Sequence, residues 1–136
     1  MFSAGSAALM LFVSAIACDN TVTALGNIAG TYVATTMVIA VGEESINMLA
    51  IGEELTVVIN EDGSHDGVLH NVLNDSGPTD EGLPGSVVRK GDLLVFHSSN
   101  QNGTILTDHT WTIQGSTILG VVKDGDYTSH ITLTRQ

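Results

Sequence analysis

From Gly30 onward the chain alternates short apolar and β-branched runs with clusters of turn residues, and no helical period is sustained. Eight strands are predicted, over Gly30 to Ala40, Glu54 to Asn60, His65 to Val72, Ser86 to Lys90, Leu93 to Ser98, His109 to Gln114, Thr117 to Lys123 and Tyr127 to Arg135. Within them a period of two separates a dry face from a wet one. In the last run Tyr127, Ser129, Ile131, Leu133 and Arg135 share one side, and Thr128, His130, Thr132 and Thr134 take the other. Trp111 and Ile113 oppose Thr110, Thr112 and Gln114, while Leu55, Val57 and Ile59 alternate with Thr56 but also with Val58.

The turns decide how these runs are joined. Asp62-Gly63 and Asp124-Gly125 place glycine where tight hairpins need a positive φ, and Lys90-Gly91-Asp92 and Gln114-Gly115-Ser116 do the same for two more pairs. A meander of this length leaves two open edges, which closure into a barrel removes. The expected fold is therefore all-β, an up-and-down antiparallel barrel of about eight strands. A two-sheet sandwich is the alternative, but threonine-rich outer faces favour one curved sheet. Ile46, Leu49 and Ala50 lie at helical spacing, so Glu43 to Ile51 is predicted as one or two helical turns capping a mouth. Asn74 to Pro84 and Asn100 to Asp108 are the long loops.

Ahead of the barrel, the apolar run Ala7 to Ala17 ends at Cys18, the only cysteine, and a polar remainder follows. Ala15-Ile16-Ala17-Cys18 looks like a bacterial lipobox, in which cleavage leaves Cys18 as an acylated N-terminus. Alanine stands at position 15 where leucine is usual, and no Lys or Arg precedes the run. The run is too short to span a bilayer core, which takes about 20 residues. An ordinary signal peptide with an incidental cysteine and a retained anchor helix are the other readings. The organisation is thus a signal peptide over residues 1–18, forming a signal helix, a tether over 19–27 and a barrel domain over 28–136. The expected location is the cell envelope after export, with attachment through acyl chains that each bury about 0.8 kcal/mol per methylene. Asp19 resembles an inner-membrane retention signal of some Gram-negative lipoproteins.

Charge narrows the partners. The 15 carboxylates against Arg89, Lys90, Lys123 and Arg135 give a formal net charge of −11, which excludes nucleic acid and repels an anionic bilayer surface. With one cysteine, no intramolecular disulfide forms, and packing alone must hold the domain.

These residues resemble the small lipocalin-like domains of bacterial exported proteins. Gly30-Thr31-Tyr32 matches the Gly-x-Trp opening of the first barrel strand, with tyrosine for tryptophan. Leu133-Thr134-Arg135 matches the closing strand, and Gly85 to Val88 with Gly91 to Phe96, and Thr112 to Gly120, repeat the strand, glycine, hairpin pattern. The resemblance covers about four fifths of the chain. It implies a lipocalin-like barrel in which Gly30, Tyr32 and Arg135 close one end, the guanidinium packing across the ring. Independently of the family, such a stack keeps the charge near solvent and contributes about 0.5 to 2 kcal/mol.

Chemistry is sparse. His65 and His70 point to opposite faces, His97, His109 and His130 lie on separate strands, and only a chance approach of His97 to His109 across the Asn100 loop would begin a metal site. These histidines are expected as exposed strand-end residues. Asp124-Gly125-Asp126 is explained by its turn and lacks the other ligands of a calcium loop. No serine sits in a Gly-x-Ser-x-Gly elbow, and the adjacent carboxylates Glu43-Glu44 and Glu53-Glu54 point apart on strands. No enzyme, metal or cofactor is therefore implied. The expected function is binding of a small, neutral, apolar molecule inside the barrel, lined by Tyr32, Leu55, Val57, Leu94, Phe96, Trp111, Ile113, Ile131 and Leu133, with Ala34, Thr36 and Gly120 leaving room between them. The alternative is a filled barrel that acts as an envelope structural or interaction module through its two long loops.

Overall fold

The computed structural model describes residues 24–136. The signal helix, Cys18 and the first part of the tether lie outside the described residues. Ten strands follow one another: β1 (Gly30–Val41), β2 (Glu44–Asn47), β3 (Glu54–Ile59), β4 (Ser64–Asn71), β5 (Thr79–Gly82), β6 (Gly85–Lys90), β7 (Leu93–Ser98), β8 (Thr110–Gln114), β9 (Thr117–Asp124) and β10 (Tyr127–Arg135). Two 3-10 turns, Leu49–Ile51 and Gln101–Gly103, and one short helix, α1 (Thr104–Thr107), complete the set.

All pairings are antiparallel between successive staves, and β10 returns to pair with β1 from Tyr32 to Val41, so the sheet closes. Because β10 occupies one edge of β1, β2 and β3 must share the other, pairing with Val38 to Val41 and with Gly30 to Val33 respectively. In the same way β5 and β6 follow each other along one edge of β4. The ten strands therefore make eight staves, two of them interrupted. This is a closed up-and-down barrel rather than a sandwich, and it fits a lipocalin-like fold.

Three details differ from the sequence reading. Glu43 to Ile51 begins as a hairpin, not a helix: β2 turns back at Gly42 (φ 60°) and satisfies the upper edge of β1, which β3 does not reach. Only Leu49–Ile51 is helical, and it stops at Gly52 (φ 107°), whose N–H donates to Leu49 O at 3.2 Å. Part of the loop from Asn74 to Pro84 is the strand β5. A bulge between Ala34 and Thr36 shifts the register of β1, so Met37 and Ile39 turn inward after Tyr32 and Ala34, and Thr36 is exposed instead of facing in.

One end of the barrel is sealed. Tyr32 is buried and its hydroxyl donates to Ile28 O at 2.6 Å, beside buried Leu25 and Ile28. Burial raises the Tyr32 pKa, opposed by nearby Arg135 and Arg89. The Arg135 guanidinium lies 5.9 Å over the Tyr32 ring and donates to Asn27 O at 3.1 Å and to Ala29 O. Gly30 (φ 150°) lets it in, since a β-carbon there would stand 3.0 Å from Arg135 Nε. Gly30, Tyr32 and Arg135 thus act together as barrel closure. Leu25, assigned by sequence to the tether, is packed into this end.

Candidate functional site

Above the seal the interior is filled through the middle of the barrel. Paired inward positions run round the wall as Leu94, Trp111, Gly120, Ile131 and Met37, so the bulkiest side chain faces the smallest residue. Trp111 is 0% exposed, its Nε1 donates to Leu106 O at 2.7 Å, and its ring meets Phe96 edge-on at 5.7 Å. That hydrogen bond fastens α1 over part of the other mouth, with Leu106 buried beneath it.

At this mouth the filling stops. A cavity of about 510 Å³ opens there, walled by Met37, Ile39, Met48, Ile105, Val122 and Ile131, with Thr104, Glu53, Asp108, His109, Asp124, Tyr127 and Ser129 supplying its polar surface. It exists because β1 and β10 extend past the last large inward residues while α1 and the Leu49–Ile51 turn stand at the rim. Ile131 and Val122 fall on inward positions set by the pleat and Met37 and Ile39 on positions set by the bulge, while Met48 and Ile105 come from the turn and the helix at the rim.

His109 and Ser129 form a hydrogen-bonded polar pair in the wall. His109 Nδ1 lies 2.8 Å from Ile105 O; a carbonyl only accepts, so Nδ1 carries the hydrogen. His109 Nε2 then accepts from the Ser129 hydroxyl at 2.8 Å. Burial pushes the His109 pKa down, opposed by the bond to Ile105 O and by Asp108, which keeps the ring neutral near pH 7. With its proton committed, the Ser129 oxygen offers only acceptor capacity to anything in the cavity. Glu53 is only 4% exposed, and its Oε2 accepts the Val72 N–H at 2.6 Å.

Of the nine residues expected to line a ligand cavity, Ile131 does so. Tyr32, Leu55, Val57, Leu94, Phe96, Trp111 and Leu133 are buried in the core, and Ile113 packs half-buried against it. They all sit in the filled portion, because large residues from opposite walls meet there. Sequence reading had Ser129 on the inward face but passed over it as small and polar. His109 shares the parity of Trp111, which was a usable signal, whereas Glu53 follows Gly52 outside any alternation and carried none.

The histidines do not all sit at exposed strand ends. His65 is buried at an inward position of β4, edge-on to Phe96 at 5.1 Å, with Nε2 3.3 Å from His97 O and Nδ1 unpartnered. Desolvation lowers its pKa. His97 is exposed on the outer face, so it does not meet His109 in the cavity. Among the described residues, no three His, Cys, Asp or Glu side chains gather as metal ligands. On the outer surface His70 Nδ1 lies 2.6 Å from Asp80, whose hydrogen bond raises the His70 pKa.

No protein-family model matches the chain, and no curated protein matches it. Among solved structures, the wild-type fluorescent protein UnaG is similar, with 10% sequence identity and a TM-score of 0.44 over 82% of this chain and 99% of that one.

Proposed function

We propose that this barrel binds one small apolar molecule, without an anionic group, in the mouth cavity. The observation that carries the proposal is the half-filled interior, in which a sealed and packed lower barrel supports an apolar hollow of a size typical of small-ligand sites, about 300 to 1,000 Å³. Its walls exclude an anion, because no Lys or Arg lines them. Arg135 serves the seal, and Arg89 bonds Ala24, Asn27 and Gly91 at that same end. An apolar solvatochromic dye titrated into the full chain should bind saturably, one to one. Val122→Trp, which fills the cavity from β9, should abolish binding while leaving the unfolding midpoint within the error. Dye binding that persists unchanged in Val122→Trp would refute the site.

Export with acylation at Cys18 is the companion proposal, supported by Ala15-Ile16-Ala17-Cys18 at the end of an apolar run. Ala24 leads into the sealed end, where Arg89 bonds its carbonyl, opposite the cavity mouth. Radiolabelled palmitate should appear on the wild-type chain in a bacterial host and be lost in Cys18→Ser; equal labelling of both would reject the proposal.

A further inference from the structure

We infer that the cavity selects an apolar ligand carrying a protonated amine, an inference that rests on the mouth cavity being a binding site. The cavity wall carries three acidic side chains, Glu53, Asp108 and Asp124, and neither lysine nor arginine. Glu53 is set into the wall rather than displayed on the rim, with only 4% of its surface exposed. A carboxylate has room for about four hydrogen bonds; Oε2 accepts the Val72 N–H, an uncharged partner, and His70 on the outer surface is the basic group that Glu53 influences, so an ammonium in the cavity would be a charged partner from the inner side. Ser129 adds an acceptor, because its proton is held by His109 and the proton of His109 is held by Ile105 O. The carboxylates and Ser129 thus offer only acceptors, beside the Thr104 and Tyr127 hydroxyls, which can turn to accept or donate. An ammonium group, with several donors and one positive charge, is the complement of that set; an alcohol meets it in part, and a carboxylate meets it with repulsion.

The surrounding field works in the same direction. Glu43, Glu44, Glu54, Asp80 and Asp126 lie in or beside the strand ends that border this mouth and Asp75 lies in the loop after β4, with Lys123 on β9 opposing them in charge, whereas Arg89, Lys90 and Arg135 lie at the sealed end. A negative mouth above a low-dielectric hollow raises the local concentration of cations and speeds their entry, an effect that salt weakens.

The test compares decylammonium, decanol and decanoate, each below its micellar concentration, by calorimetric titration into the full chain. Decylammonium should bind about tenfold more tightly than decanol, and decanoate should bind more weakly than either. Glu53→Gln, which keeps an acceptor for Val72 N–H, should remove most of the preference for the amine, read as the ratio of decylammonium to decanol affinity in the same variant. Asp124→Asn, at the rim, should reduce it by a smaller factor and guards against a folding defect in the first variant. Equal affinity of amine and alcohol in the wild type would overturn the charge preference and leave the apolar site standing. Failure of all three probes to bind would overturn both.

Discussion

Gly120 lies against the face of the Trp111 ring in the core, which makes Gly120→Ala a severe test of the packing. A β-carbon at Gly120 would stand 2.5 Å from Trp111 Cζ3, 2.6 Å from Cε3 and 2.8 Å from Cη2, where contact becomes ordinary only from 3.4 Å. The indole must therefore retreat by close to an ångström. It has little freedom to do so, since Nε1 is tied to Leu106 O and Phe96 and His109 pack against the ring. Overpacking of this kind costs about 1 to 3 kcal/mol, and loss of the indole hydrogen bond adds about 0.5 to 1.5 kcal/mol. The expected destabilisation is about 2 to 4 kcal/mol, read as a fall in the urea midpoint at constant m-value. The fluorescence of the single tryptophan should report the ring's displacement at the same time. In a Trp111→Leu background, followed by circular dichroism, Gly120→Ala should cost less than about 0.5 kcal/mol, because the ring it strikes is gone. A loss below about 0.5 kcal/mol in the wild-type background, or equal losses in both, would refute this account of the layer.

Other outcomes follow from the seal and from the buried imidazoles. Arg135→Ala should lower stability by about 2 to 4 kcal/mol through its charge-assisted bonds to Asn27 O and Ala29 O and its contact with Tyr32. Arg135→Lys should recover only part of this in chemical denaturation, since an ammonium cannot span both carbonyls while covering the ring; full recovery would contradict the geometry. Tyr32→Phe should cost about 0.5 to 1.5 kcal/mol by leaving Ile28 O without its partner, checked by thermal unfolding. His65 and His109 have depressed folded pKa values, so their contribution to stability is complete above the unfolded value of about 6.5 and is lost as pH falls from there through the lower folded values. The urea midpoint should therefore fall between pH 7 and pH 5. His65→Leu with His109→Gln should flatten that slope. His70 works in the opposite sense, its contribution present below about pH 6.5 and lost as pH rises through its raised folded value, so His70→Ala should leave the acid-side loss in place.

Most of the staves are legible in the residue pattern. Alternation over Ser129 to Leu133 and at Trp111 and Ile113, less cleanly over Leu55 to Ile59 where Val58 interrupts it, with glycine at each tight hairpin, marks strand positions and inward faces from local chemistry alone. The pairing of the end strands was also legible, because Gly30, Tyr32 and Arg135 carry a small residue, a ring and a guanidinium at the two termini of the domain. Where the pattern was interrupted, local reasoning lost its hold. β2 forms because the upper edge of β1 needs hydrogen bonds, a demand made by a partner rather than by Glu44 to Asn47. The bulge near Thr35 exchanges the two faces of β1, and only the register against β10 reveals it. The candidate site lies further still from the sequence. Whether large inward residues line a hollow or fill it depends on which of them meet across the barrel. Trp111, Phe96 and Leu133 lie in the filled core, Met37 and Ile131 bound it from the cavity side, and Ile39 and Val122 line the open mouth beyond. Glu53, His109 and Ser129 come from three separate parts of the chain, and it is closure of the sheet that gives them one wall and a common set of acceptors.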